Sequence, residues 1–197
     1  MARSKEYEPG DMVQKVKAAF IEDGYRNLGI RSIEEKTGLG RFAIRTQFGG
    51  KEGLMLAAMK SYREDAERYV FGPMRDASDA SALTAMLEGI VTPHPETLRK
   101  HGCLMVNSTV ERLGDDSDAF AEMIAGHFDV LRDETTALIK RGQSQGRIKT
   151  TLDPKEAADF VVGCVMSTNL LNRAARDETA AKSFVAQAVK AIAAWAV

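Results

Sequence analysis

Cysteine is scarce in this chain of 197 residues: only Cys103 and Cys164 occur. That excludes a disulfide framework, and the pair lacks metal-ligand spacing. Both are expected as reduced thiols, although geometry alone would not forbid a single bridge. The three histidines, His94, His101 and His127, fall in no tight metal motif with Cys103. There is no Gly-x-Ser-x-Gly elbow, phosphate loop, dinucleotide fingerprint or His-Glu-x-x-His. No catalytic residue, metal or cofactor is therefore expected, and the chain does not read as an enzyme. No apolar run approaches the roughly 18 to 20 residues that span a bilayer. The start, MARSKEYEPGD, has no apolar core of a signal peptide. No membrane partner and a cytoplasmic location are expected. Strand-like alternation is scarce as well.

What is present is ordinary globular material, 44% hydrophobic and 28% charged, enough for one large domain or two small ones. The net charge of −1 hides an asymmetry. The first 51 residues carry ten Lys or Arg against seven Asp or Glu, and the excess of acid lies in the remainder. A basic head on an acidic body suits a head that meets polyanions.

Helical spacing runs through almost the whole sequence and predicts an all-α fold. Val13, Val16, Ala19 and Phe20 make one stripe, with Asp11 placed to cap its start and Gly24 to end it. Short helices fit Arg31 to Lys36 and Arg41 to Gln47, separated by Gly38-Leu39-Gly40. A longer one starts near Lys51 and runs to about Val70, where Gly72-Pro73 should stop it. Further helices fit Ser81 to Val91, closed by Thr92-Pro93-His94-Pro95, then Gly102 to Leu113 and Ser117 to Gly142. After a polar connector, Asp153 and Pro154 read as N-cap and first residue of a helix to Arg176, and a last helix fits Glu178 to Trp195. The count is about nine. The boundary is soft: a head over 1–50 and a larger body over 51–197.

Two short helices joined by a glycine turn form the helix-turn-helix pattern. Ile33, Leu39, Ile44 and Phe48 would be its buried side, with Phe20 and Ile30 beneath. Gly40, Arg41, Phe42, Ala43, Arg45, Thr46 and Gln47 are left at the surface or its margin. Arginine and glutamine can donate to guanine or adenine edges, and threonine can meet a thymine methyl. Arg41 and Lys51, which flank the helix, suit phosphates, Lys51 at a helix start where free N–H groups also favour an anion, and Arg31 is a further candidate DNA contact. A charged helix face can equally be only a solvated face.

FIEDGYRNLGIRSIEEKTGLGRFAIRTQFGGKEGL resembles the DNA-binding segment of the TetR/AcrR family of transcriptional repressors. The resemblance rests on Phe20-x-x-x-Gly24-Tyr25, Ile30-Arg31-x-Ile33, Thr37-Gly38-Leu39, Ile44-x-x-x-Phe48 and Lys51-Glu52-x-Leu54. It departs at Leu28-Gly29 and Gly50, where the family has capping Ser or Thr. It departs again at Phe42, where a small residue is usual, and at Arg45, where tyrosine is usual. The departures put the target sequence in doubt more than the fold, and they leave open a protein of this fold whose operator binding is weak or lost. The resemblance implies a homodimer that holds a palindromic double-stranded DNA operator and releases it when a small-molecule inducer binds the second domain.

The last two predicted helices are apolar over wide arcs, which calls for burial on two sides. Val161, Val165, Leu171, Phe184, Val185, Ala188, Ile192 and Trp195 are the expected dimer interface, with Gly163, Ala186 and Ala193 permitting close approach. Two inner helices of a monomeric core are the other reading. HGCLMVNSTVERL resembles a sub-group of the family with a Gly-Cys-Leu-x-x-Asn stretch, in some members of which the cysteine reacts with electrophiles or oxidants. That makes Cys103 a candidate sensor and Asn107 its companion, with Arg99, Lys100 and His101 expected to lower the thiol pKa. A packed thiol is the alternative. His127, Met105, Met123 and Met166 are candidate ligand-pocket residues, or core.

Overall fold

The computed structural model of the protein describes residues 9–94 and 98–197. The polar start of the chain before Pro9, and Pro95 of the expected turn, lie outside the described residues. The described residues form nine helices and no sheet. They are α1 (Pro9–Asp23), α2 (Ile30–Thr37), α3 (Arg41–Phe48), α4 (beginning Lys51–Ala66), α5 (Ser81–Val91), α6 (Leu104–Val110), α7 (Asp118–Ser144), α8 (Pro154–Ala175) and α9 (Lys182–Ala193).

Three local expectations need correction. Asp11 does not cap α1 from outside; it lies in the first turn, where its negative charge interacts favourably with the positive end of the helix dipole. Gly72-Pro73 does not stop α4. The helix widens into a π turn, Glu67–Phe71, and resumes over Gly72–Asp76. The Gly72 N–H donates to the Glu67 carbonyl five residues back, the hydrogen bond of a π turn. Arg141 donates to the carbonyls of Met74 at 2.8 Å and Ala77 at 3.0 Å and finishes the helix end. The expected helix from Gly102 is shorter, because Gly102 has φ 80° and Cys103 is extended. The cap of α8 is as read: Asp153 accepts from the Lys155 and Glu156 N–H groups.

The head is α1 to α3. Ile33, Leu39 and Ile44 are buried as expected, on Val16, Phe20 and Leu54 of the same core, and Phe48 is half-buried. Gly38 turns α2 into α3 with φ 78°, a left-handed conformation that side chains resist, and its N–H donates to the Glu34 carbonyl. α1 of the head lies along α4, and their buried residues join one core with those of the body.

The joint between α3 and α4 is close. A Cβ on Gly53 would stand 1.8 Å from the Phe48 carbonyl oxygen, a backbone atom that cannot swing aside. Gly53→Ala is expected to force α3 off α4 at a cost of about 1–3 kcal/mol. Thermal unfolding would show this as a fall in Tm of roughly 2–4 °C per kcal/mol. An unchanged Tm would mean that the helices are not so tightly opposed.

In the body α8 packs on α7, and α9 packs on α5. Arg26 of the head reaches into the body: its backbone N–H donates to Glu111 at 2.8 Å and its guanidinium meets Asp116 at 2.7 Å. The Tyr25 ring stands edge-on to Phe120, centroids 5.4 Å apart. Ile21, at the end of α1, has its carbonyl held by Arg173 of α8 at 2.9 Å and by Asn107 of α6 at 3.4 Å. These two bonds tie α6 and α8 to the end of α1.

Candidate functional site

The outer face of α3 is built by the register of two buried residues. With Ile44 in the core and Phe48 half in it, Arg41, Phe42, Arg45, Thr46 and Gln47 are exposed, and Gly40 and Ala43 sit at the margin. Phe42 is the most exposed aromatic described, at 78%. Among the described residues, the Arg45 and Gln47 side chains meet no hydrogen-bonding or ionic partner. Their donors are free for a ligand. Thr46 spends its own hydroxyl hydrogen on the Phe42 carbonyl at 2.9 Å, which leaves its lone pairs and methyl outward.

The other three predicted contacts are held less freely. Arg41 pairs with Glu34 across the turn at 3.5 Å, and Arg31 with Glu35 at 2.8 Å. Both pairs are exposed and of the kind that contributes little, so a phosphate could displace either carboxylate. Lys51 is half-buried, its ammonium 4.2 Å from the Tyr25 ring centroid. Burial pulls its pKa below the usual lysine range, with Glu111 opposing. No side chain caps α2, α3 or α4; the caps are Gly29, Gly40 and Gly50.

A cavity of about 850 Å³ lies in the body, within the size range of small-molecule sites. Its walls come from α1, α4, α5, α7 and α8 and from the segment before α6. Of the predicted pocket residues, Cys103 and His127 line it. Four do not, and are corrected here. Met105 is wholly buried in the core, and Asn107 is spent on the His101 carbonyl at 3.0 Å. Met123 lies in a shallow groove between α4 and α7, and Met166 packs on the core away from the cavity. Sequence reasoning missed the α1 wall, Gln14, Lys17, Ala18 and Ile21, and the α4 wall that includes Tyr62 and Asp65. One signal was available. Lys17 falls one turn after Val13 and one before Ile21, within the apolar stripe of α1.

Cys103 is not an activated thiol here. It is buried, and burial pushes its pKa up, opposed by the Tyr62 hydroxyl, which donates to Sγ at 3.1 Å, and by the Val106 and Met105 N–H groups. Arg99, Lys100 and His101 supply none of the expected lowering. Tyr62 is itself pushed well up by burial and by Cys103, so the phenol keeps its proton.

His127 is 6% exposed and caged by Tyr62, Phe71 and Phe128, with ring centroids 5.7, 5.9 and 5.3 Å away. Burial, helped by the Arg63 charge, lowers its pKa from 6.5 to about 4. Between those values the unfolded chain binds a proton that the folded chain refuses. Stability is thus fully present above about pH 6.5 and is lost as pH falls to about 4, by on the order of 3 kcal/mol. Urea unfolding at pH 4 and pH 7 should show this loss in the parent and not in His127→Phe. An equal loss in both would place the titrating group elsewhere.

On the expected dimer face, half of the residues point the wrong way. Val161, Val185, Ala188 and Ile192 are buried in the chain's own core, where α5 and α7 cover them. Leu171 and Phe184 are outward, and Val165 and Trp195 half so. Phe160 and Leu170 join them, with Phe160 edge-on to Trp195, and Gly163, Ala186 and Ala193 are exposed.

Residues 79–188 match the family of tetracyclin repressor-like C-terminal domains. The HTH-type transcriptional repressor AcnR of Corynebacterium efficiens is 26% identical over 156 residues, 79% of this chain and 76% of that one. The repressor DhaR of a Mycobacterium species is 26% identical over 151 residues, 77% and 75% of the two chains. A TetR transcriptional regulator from Chloroflexus aurantiacus shares the fold at 22% identity and TM-score 0.79, over 95% and 94% of the chains. So does a cysteine-substituted CifR, a TetR-family regulator solved with 26-base-pair operator DNA, at 19% identity and TM-score 0.83, over 96% and 99%.

Proposed function

Since the chain belongs to the tetracyclin repressor-like family, its match running over residues 79–188, we propose that it is a cytoplasmic, non-enzymatic transcriptional repressor. It binds a palindromic operator as a homodimer and is released by a small molecule in the cavity. The observation that carries this is the face of α3, where Arg45 and Gln47 stand unpartnered beside an exposed Phe42 on a helix fixed to the core by Ile44. Gly40 to Phe48 of each head enters the major groove, the two heads about 34–36 Å apart. Arg45 and Gln47 read base edges, Phe42 packs on thymine methyl or sugar, and Arg31, Arg41 and Lys51 hold phosphates. Phe160, Leu170, Leu171 and Phe184 meet their copies in the partner. A buried, protonated Cys103 favours reversible ligand binding over reaction with an electrophile.

A second reading keeps the dimer and the cavity but not the operator. The uncapped α2 and α4 favour it, since the family's capping hydroxyl is missing at both starts. Selection of random duplex DNA on the purified protein at near-physiological salt separates the two. Enrichment of a palindrome with half-sites about one helical turn apart supports the repressor, and an unenriched pool supports the second reading.

A further inference from the structure

We propose that the cavity takes an apolar acid, a small hydrophobic molecule carrying one carboxylate, and that the carboxylate docks on Lys17. This rests on the repressor reading and specifies its ligand. The cavity wall is mostly hydrocarbon and aromatic, with contributions from Ile21, Phe71, Ile90 and Leu131. Such a wall calls for a largely apolar ligand. Among the described residues its charged members are Lys17, Arg99 and Asp65, two cations against one anion.

Lys17 is the exceptional one. Its side chain is 9% exposed, and its ammonium is held by the Ser61 hydroxyl at 3.3 Å and by Asp65 in an ion pair. A buried ammonium cannot be left without an anion. Asp65, by contrast, is 45% exposed and keeps water if it is released. A carboxylate arriving through the cavity can therefore take Asp65's place on Lys17, with Asp65 returned to solvent. A cationic ligand gains less, because displacing Lys17 from Asp65 strands the buried partner and not the wet one.

The exchange has a consequence beyond affinity. Lys17 and Gln14 are in α1, and Ser61 and Asp65 are in α4; Gln14 also donates to Ser61 at 3.1 Å. This is a polar bridge between the head and the helix that carries it. A ligand acid breaks the bridge's charged half at the place where the head is fastened, so occupancy and head position are coupled through one ion pair.

The test is calorimetric titration of the full chain with decanoate, decan-1-ol and decylamine, alongside binding of the ligand-free protein to its selected operator. Decanoate is expected to bind at least ten-fold more tightly than the alcohol, and the amine most weakly. Lys17→Met is expected to lose the preference for acid over alcohol while still binding the alcohol. Asp65→Asn, which removes the competing carboxylate, is expected to tighten decanoate several-fold, and this gain cannot come from misfolding. Equal affinity for acid and alcohol, tighter binding of the amine, or weaker decanoate binding by Asp65→Asn would overturn the proposal. Failure of the ligand-free protein to bind any selected duplex would overturn the repressor reading instead, and operator binding with no acid preference would remove only the ligand assignment.

Discussion

Glutamate at Leu171 and Phe184 together is expected to leave a folded chain that sediments as a monomer and holds its operator roughly 10³-fold more weakly, or worse. The two side chains stand on α8 and α9, 44% and 38% exposed, in a band continued by Phe160 and Leu170. Exposed apolar surface of this extent on two adjacent helices calls for a partner. Charges placed there face each other across a two-fold axis, where each would be desolvated without a counterion. Neither substitution touches the core, since Val161, Val185, Ala188 and Ile192 hold the inner faces of the same helices. The loss in DNA binding follows because one head reads only a half-site, and a specific complex typically exceeds a non-specific one by 10³ or more. Sedimentation velocity and operator titration on one sample check both halves. A dimer that survives both charges would move the interface to another surface.

The second large effect is expected at Arg45. Arg45→Ala should weaken operator binding by about 1–3 kcal/mol for each head and relax preference at one symmetric pair of base positions. In the dimer the two losses compound. Arg41→Ala should cost less, because Glu34 already shares that guanidinium at 3.5 Å. Lys51→Ala should weaken binding to all sequences alike, as removal of a phosphate contact does. Competition titrations against a panel of single-position operator variants distinguish these patterns. An Arg45→Ala protein with unchanged preference would put base reading elsewhere on α3.

The contrast between head and body shows what a sequence can carry. The head is local. Ile33, Leu39, Ile44 and Phe48 recur at helical spacing around a glycine turn, so their burial sets which side of α3 faces out, and Arg45 and Gln47 are exposed as the spacing predicts. The wide apolar arcs of α8 and α9 were also legible, but not their division into inner and outer halves. That division depends on where α5 and α7 lie, and nothing within α8 or α9 encodes it. The cavity was the least legible part. Its walls come from helices far apart in the chain, and α1 of the head supplies one of them. Methionines gave a poor guide, since Met105 and Met166 satisfy core packing as readily as they would line a pocket. The expected lowering of the Cys103 pKa is not seen because neighbours in sequence are not the groups that act on the thiol: it is buried and takes a hydrogen bond from Tyr62, and Arg99, Lys100 and His101 do not contribute. Gly72-Pro73 read as a stop because a π turn, which absorbs the proline, leaves no simple mark in composition.

If α3 reads DNA sequence, a single affinity ratio will show it. The affinity of the unmodified protein for its selected duplex should be compared with that for a scrambled duplex of equal length and composition, at near-physiological salt. Sequence reading by α3 predicts a ratio of at least about 10³. A ratio near one, with the dimer and the cavity intact, would contradict it and leave a ligand-binding protein that has kept the fold without the operator.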